Sequence, residues 1–181
     1  MTNRIKIITT IAIFSGIICV ISPVTLPVGM IPITLSTFAI YLIGGLTKKY
    51  IGILSTIIYI FIGIIGLPVF SSYTGGIGVV LSITGGYILG YIPCVSVISL
   101  ITSINKKNIL LYPLSMIIGT IICYCIGTLW FMVQTKNSLF ETLIITVVPF
   151  LIFDIIKIIL ATICCYILNN KTPYKEIMGS M

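Results

Sequence analysis

The sequence predicts an all-α integral membrane protein with six transmembrane helices. Three observations lead there. Of 181 residues, 59% are hydrophobic and 7% are charged, whereas a soluble domain carries about 25% charged residues to cover its surface. The apolar residues fall in long runs of the kind that cross a bilayer. The basic residues sit mostly in pairs between those runs, where membrane topology is set.

The first span is expected over about Ile7 to Ser22, ending at Pro23. The second is expected over Thr34 to Thr47 and the third over Ile51 to Gly66. Both are short against the roughly 20 residues of a crossing, so they tilt little or the bilayer thins around them. The fourth runs over Gly85 to Ser103 and the fifth over Ile109 to Val133. The last run, Leu139 to Leu168, is too long for one straight crossing and contains Pro149. The helix proper is expected to start there, with Leu139 to Val148 a shorter outer segment. No A-x-A-like cleavage site follows the first span, and Ile17-Ile18 before Cys19 does not fit a lipoprotein site. It is expected to stay as a helix. The chain reads as one domain over 1–181, with 168–181 a polar cytoplasmic tail.

Six spans put both termini on one side. That side collects Arg4, Lys6, Lys48, Lys49, Lys106, Lys107, Lys171 and Lys175, and the other loops carry only Lys136. The asymmetry predicts cytoplasmic termini. The net charge of +7 is thus spent on topology, and no nucleic acid partner is expected. The chain has no histidine, which excludes a Ser-His-Asp triad, a Cys-His dyad and a His-ligated metal. With Glu141, Asp154 and Glu176 as its only acids, a two-carboxylate active site is not expected. The cysteines at 19, 94, 123, 125, 164 and 165 all fall within spans. Cys123 and Cys125 lie about 200° apart on a helix, so they do not face one ligand. The six are read as small hydrophobes, and no metal site is expected.

Leu67 to Thr84 (LPVFSSYTGGIGVVLSIT) joins spans three and four on the outer side without a charge. A solvated spacer would not carry Phe70, Tyr73, Ile77, Val79, Val80 and Leu81, so the segment must fold onto something apolar. Gly75, Gly76 and Gly78 allow turns with positive φ and leave backbone groups open to a ligand. Irregular backbone at membrane depth survives when buried in protein or lining a cavity. The segment reads as a lid over an outward-facing pocket. Pro23 to Pro32, also uncharged and with three prolines, is expected to share the roof.

Asp154 and Lys157 lie within one apolar run at i, i+3 and so share a helix face. Asp154 lies fourteen residues before Leu168, roughly 21 Å from the inner edge of a core about 30 Å thick. The pair thus falls on the lid side of the membrane. Each residue costs roughly 2.5–3.5 kcal/mol at a helix centre, which marks it for function. A mutual ion pair that only fixes helix packing is the alternative. As a ligand floor, the aspartate accepts N–H donors, and the lysine donates to a carbonyl or pairs with an acid. No second acid or nucleophile–base pair is visible, so no catalysis is expected.

Gly86 and Gly90 on span four, and Gly119, Cys123 and Gly127 on span five, make small-residue steps suited to close packing within the chain. Ala12 and Gly16 make another on span one, the better candidate for docking a second membrane subunit. No G-x-x-x-x-G-K-[ST] loop is present, so any ATP-driven motor is another protein.

The motifs, taken in order, resemble the BioY family, the biotin-specific substrate-binding (S) components of energy-coupling factor (ECF) transporters. Pro32-Ile33-Thr34-Leu35 with Thr37-Phe38 is similar to the family's P-x-T-L-Q-T-F. Gly66-Leu67-Pro68-Val69-Phe70, Gly75-Gly76-x-Gly78-Val79, Thr84-Gly85-Gly86-Tyr87, Gly127 with Leu129-Trp130, and Pro149-Phe150 with Asp154 and Lys157 follow the rest of its pattern. Ser36, Ser82-Ile83 and Phe153 depart from it. The resemblance implies high-affinity biotin capture in a bacterial or archaeal cytoplasmic membrane. It implies no cofactor, biotin being the transported substrate. It implies a transmembrane T component, docked through Ala12 and Gly16, and two ABC ATPases as partners. Biotin's ureido N–H and C=O groups suit Asp154 and Lys157, and an alternative pose puts its carboxylate on Lys157. Phe70, Tyr73 and Tyr87 would enclose the ring and tail. Ser71, Ser72, Thr74, Thr84 or loop backbone at Gly75 and Gly76 would hold the carboxylate, with Thr34 at the entry to span two. The loaded protein would topple in the membrane to release biotin inside.

Other readings are an S component for another vitamin or small organic acid, a channel, and an intramembrane aspartyl protease. A protease needs a second membrane aspartate. A channel is disfavoured because no span shows a polar stripe.

Overall fold

The computed structural model describes residues 2–26 and 32–171. The middle of the Pro23–Pro32 run and the tail beyond Lys171, with Lys175 and Glu176, lie outside these residues. Helix α1 (Thr2–Ile21) opens the chain. Two-residue strands β1 (Thr25–Leu26) and β2 (Ile33–Thr34) then pair antiparallel. Next come α2 (Ser36–Leu46) and α3 (Lys49–Ile64). A short α4 (Ile77–Leu81) precedes α5 (Gly85–Ile104) and α6 (Leu111–Thr135). The chain ends on α7 (Leu139–Thr146) and α8 (Val148–Lys171).

Among the described residues, four helices are long and apolar enough to cross a membrane: Arg4–Ile21, Gly85–Ile104, Leu111–Thr135 and Val148–Asn170. The second span is shorter than expected, and the third keeps its 16 residues but is shifted two positions toward the N-terminus. Helix α2 starts late because residues 33–34 are held in the hairpin. Helix α3 stops at Ile64 because Gly66 turns the chain with φ +107°, the left-handed position that ends many helices. With 11 residues, α2 is roughly 16 Å long, about half the hydrocarbon thickness. The last run breaks at Val147 (φ −122°, ψ −52°), two residues before Pro149. Pro149 falls in the first turn of α8, where a missing N–H costs least. Helix α7 begins on a capping box, Ser138 with Glu141.

The burial pattern is that of a lipid-facing protein. Ile155, Ile159, Leu160 and Ile163 line the outer face of α8, and Ile117, Ile121 and Val133 that of α6. Small residues bring α5 and α6 together. A Cβ added at Gly90 would come within 3.1 Å of the Cys123 sulfur, and one at Gly119 within 3.1 Å of the Cys94 sulfur. Cys123 is buried in this seam while Cys125 faces out. Ala12 and Gly16 are exposed on α1, and nothing lies within 4 Å of a Cβ built on Gly16.

One end of the bundle is tied by side-chain amides. Asn169 donates to the Gly45 carbonyl (2.9 Å) and the Tyr112 hydroxyl (3.0 Å). Tyr112 donates to the Lys106 carbonyl, as does Asn170. The end of α2, the α5–α6 turn and the end of α8 therefore meet. Burial, and then the nearby Lys48, hold the Lys106 ammonium below its ordinary pKa. Cations of separate turns are thus gathered at this end, with Lys136 at the C-terminus of α6 on the other.

Candidate functional site

Between α2, α3, α5, α6 and α8 lies a cavity that opens at one end, with about 820 Å³ of atom-free space once its open mouth is included. Its wall is mostly apolar or aromatic: Ile40, Tyr59, Phe70, Ile88, Tyr91 and Phe150 among others. The Phe70 ring meets Tyr59 edge-on with centroids 5.6 Å apart. It fits against α3 because residue 63 is glycine; a Cβ there would overlap the ring.

Asp154 and Lys157 stand at the deep end, 4% and 7% exposed. Lys157 Nζ lies 2.9 Å from Asp154 Oδ1. Two other helices complete the group. Lys157 also donates to Thr37 Oγ1 (2.9 Å), and Thr37 donates to the same Asp154 oxygen (3.3 Å). Tyr124 donates to Asp154 Oδ2. The pair is therefore neutral as a unit and supported on both sides. The carboxylate accepts three hydrogen bonds and keeps room for more, since it has about four lone-pair sites. A buried ion pair is tolerable only with such extra bonds.

The cavity brings together six of the ten sequence-predicted substrate residues: Asp154, Lys157, Phe70, Thr84, Tyr87 and Thr34. Ser72, Tyr73, Gly75 and Gly76 are not in its wall. Ser72 lies on a shallow outer basin with Thr74. It donates its N–H to the Pro23 carbonyl (3.2 Å) and shares a hydrogen bond with Thr25 (2.9 Å), so it joins the two outer segments. Tyr73 is 68% exposed. Both carry positive φ, 55° and 58°. The glycines do other work than expected. Gly76 alone of the three has positive φ, +98°, and its N–H is taken by the Gly63 carbonyl at 2.7 Å. It is not open to a ligand. Gly75 is required by close approach, because a Cβ would overlap the Leu67 carbonyl. The loop also holds α4, where the sequence suggested irregular backbone. Trp130 and Gln134 of α6 fasten that helix by donating to the Ser82 and Leu81 carbonyls.

Sequence reasoning missed Thr37, Tyr41, Thr120, Tyr124 and Thr146 as wall residues. The signal existed. Thr34, Thr37 and Tyr41 fall at i, i+3, i+7, and Thr120, Tyr124 and Thr128 at i, i+4, i+8. The second set is a polar stripe on the fifth span, contrary to the expectation that no span has one. Its members at 120 and 124 face this cavity, with Thr120 hydrogen-bonded to Tyr41.

Comparison with known proteins places the fold and the chain. The chain resembles the 2.1 Å crystal structure of the S-component for biotin from an ECF-type ABC transporter, with TM-score 0.86 over 98% of this chain and 97% of that one. At 23% identity that likeness concerns the fold. Biotin transporter BioY2 of Lactococcus lactis is 35% identical over 162 residues, covering 89% of this chain and 88% of that protein. Biotin transporter BioY of Thermotoga maritima is 33% identical over 151 residues, covering 83% and 88%. The BioY family model matches residues 1–174. With motifs, fold and nearly the whole length in agreement, the chain belongs to the BioY family.

Proposed function

We propose that this protein captures biotin and serves its uptake across the cytoplasmic membrane as the S component of an ECF-type transporter. It is a transporter subunit, not an enzyme. The observation that carries the reading is the Asp154–Lys157 pair, closed by Thr37 and Tyr124 at the floor of an apolar cavity. Biotin's ureido ring presents N–H donors beside a C=O acceptor. Asp154 takes the former and Lys157 donates to the latter. Phe70, Tyr87 and Phe150 surround the thioether ring. Biotin is cargo, and no cofactor takes part. Six crossings with both termini cytoplasmic fit the eight cations of the positive side. Helices α2 and α3 make two of these crossings despite their length, with local thinning of the bilayer. The exposed Ala12–Gly16 face of α1 docks the transmembrane T component. Two ABC ATPases supply the energy, and toppling of the loaded protein delivers biotin inside.

The test is equilibrium binding of labelled biotin to purified protein in detergent, with excess unlabelled biotin, riboflavin, thiamine or lipoate. Only biotin is expected to compete. Competition by another vitamin, or no binding by folded protein, overturns the substrate.

A second expectation concerns the lid. Gly76 has φ +98° and ψ 158°, a region essentially confined to glycine, at a cost of about 1–3 kcal/mol for other residues. Space around it is open, so the strain is backbone alone. Gly76→Val and Gly76→Ala are both expected to weaken biotin binding by about tenfold through a displaced lid. Equal affinity in both variants removes the Gly76 turn from the binding argument.

A further inference from the structure

Four buried side-chain oxygens find no hydrogen-bond partner among the described residues: those of Ser22, Tyr87, Thr128 and Thr146. Three of the four gather at one place. The Tyr87 ring lies over Gly127, where a Cβ would overlap it, and its hydroxyl is near enough to Thr128 and Thr146 for weak polar contact, though no well-formed hydrogen bond joins them. Thr128 and Thr146 are 4% and 1% exposed. Tyr87 and Thr146 line the cavity, and Thr128 stands behind them. Leaving buried hydroxyls unpaired is costly, and chance clustering on three helices is a poor account of it.

The group sits toward the mouth. Thr146 ends α7, before the break at Val147, and Asp154 lies six residues into α8 from Val148, roughly 9 Å along that helix. On α6, Thr128 lies one turn outward of Tyr124, and the long Tyr124 side chain leans inward to Asp154, because helical side chains point toward the N-terminus. The cavity therefore has two polar poles with apolar wall between them. The deep pole holds a carboxylate already and repels a second one. The outer pole has three hydroxyls and no anion.

We propose that Tyr87 and Thr146, backed by Thr128, form an oxyanion subsite that holds the carboxylate of the ligand tail. This rests on the biotin reading above, in which the ureido ring occupies the deep pole. An extended valerate chain on the bicyclic ring spans the gap between the poles. The Tyr87 and Thr146 hydroxyls turn their protons toward the carboxylate, with Thr128 behind them, and hydrogen bonds to an ionised acceptor are about twice as strong as neutral ones. The assignment disfavours a carboxylate on Lys157 and moves that role away from the loop serines.

The experiment measures affinity for biotin and for biotinol, whose tail ends in an alcohol, in wild type, Tyr87→Phe, Thr146→Val and Thr128→Val. The preference for biotin over biotinol is expected to fall by about tenfold in Tyr87→Phe and Thr146→Val, and less in Thr128→Val. Melting temperatures without ligand stay level or rise, because an unpaired buried hydroxyl has been removed. Equal loss for both ligands, or no loss, overturns the subsite while leaving biotin capture intact. So does a variant that melts well below wild type, since its hydroxyl then had a partner. Failure of wild type to bind biotin overturns the underlying reading instead.

Discussion

Lys157→Ala is expected to abolish tight biotin binding, and Asp154→Ala to do the same. In the proposed pose, each variant loses one of the two complementary contacts to the ureido ring. Each also leaves its partner charged and buried, which costs about 3–5 kcal/mol when a buried pair is broken. Affinity is therefore expected to fall by more than a hundredfold, and the melting temperature of the empty protein falls with it. Loss of stability alone could account for loss of binding, so a double variant is needed. Asp154→Leu with Lys157→Met removes both charges at similar volume, which is often neutral or stabilising. It is expected to recover the melting temperature and still fail to retain labelled biotin. A stable double variant that binds normally would make the pair a packing device and move the site elsewhere. Tyr124→Phe gives a graded check, because it removes only the donor to Asp154 Oδ2.

Gly85→Ala has the second largest expected effect, from one methyl group. Gly85 begins α5, and the chain folds back so tightly that an added Cβ would overlap the Val80 carbonyl of α4. Neither side can yield cheaply. Helix α4 is tied by Trp130 and Gln134, and the Gly85 N–H is held by the Ser82 carbonyl at 3.0 Å. Overpacking of this kind costs about 1–3 kcal/mol and sometimes more. The strain is relieved by lifting α4 from the mouth. Labelled biotin should then dissociate at least about tenfold faster, with a smaller change in association rate. An unchanged dissociation rate would show that α4 does not help retain the ligand. Trp130→Phe removes one hydrogen bond without the overlap and should change the rate less.

The membrane class, the long outer helices and the break near Pro149 were legible because they depend on composition and on proline. The Asp154–Lys157 contact was legible because i, i+3 spacing places two side chains on one face. Tyr124 and Thr37 were not, since their role comes from helices brought together only by folding. Near-uniform apolarity hides which side of a helix faces inward, and here the hidden sides are marked by threonine and tyrosine rather than by charge. The glycine loop misled for a related reason. Its left-handed turns fall at Ser72 and Tyr73, and Ser72 is held by bonds to Pro23 and Thr25 from another part of the chain. Local propensity would have assigned them to Gly75 and Gly78.

The amide ties of Asn169 and Asn170 bear on where the cargo can go. Below the deep pole, Tyr41, Met116, Tyr112 and Cys165 are fully buried, and Asn169 closes the base across α2 and α6. A route through its base would need these helices parted and the buried amide pulled from both acceptors. Cargo that enters at the mouth therefore leaves by the mouth. In the proposed uptake cycle, directionality then comes from which face of the membrane the mouth meets when it opens, not from a tunnel through the base.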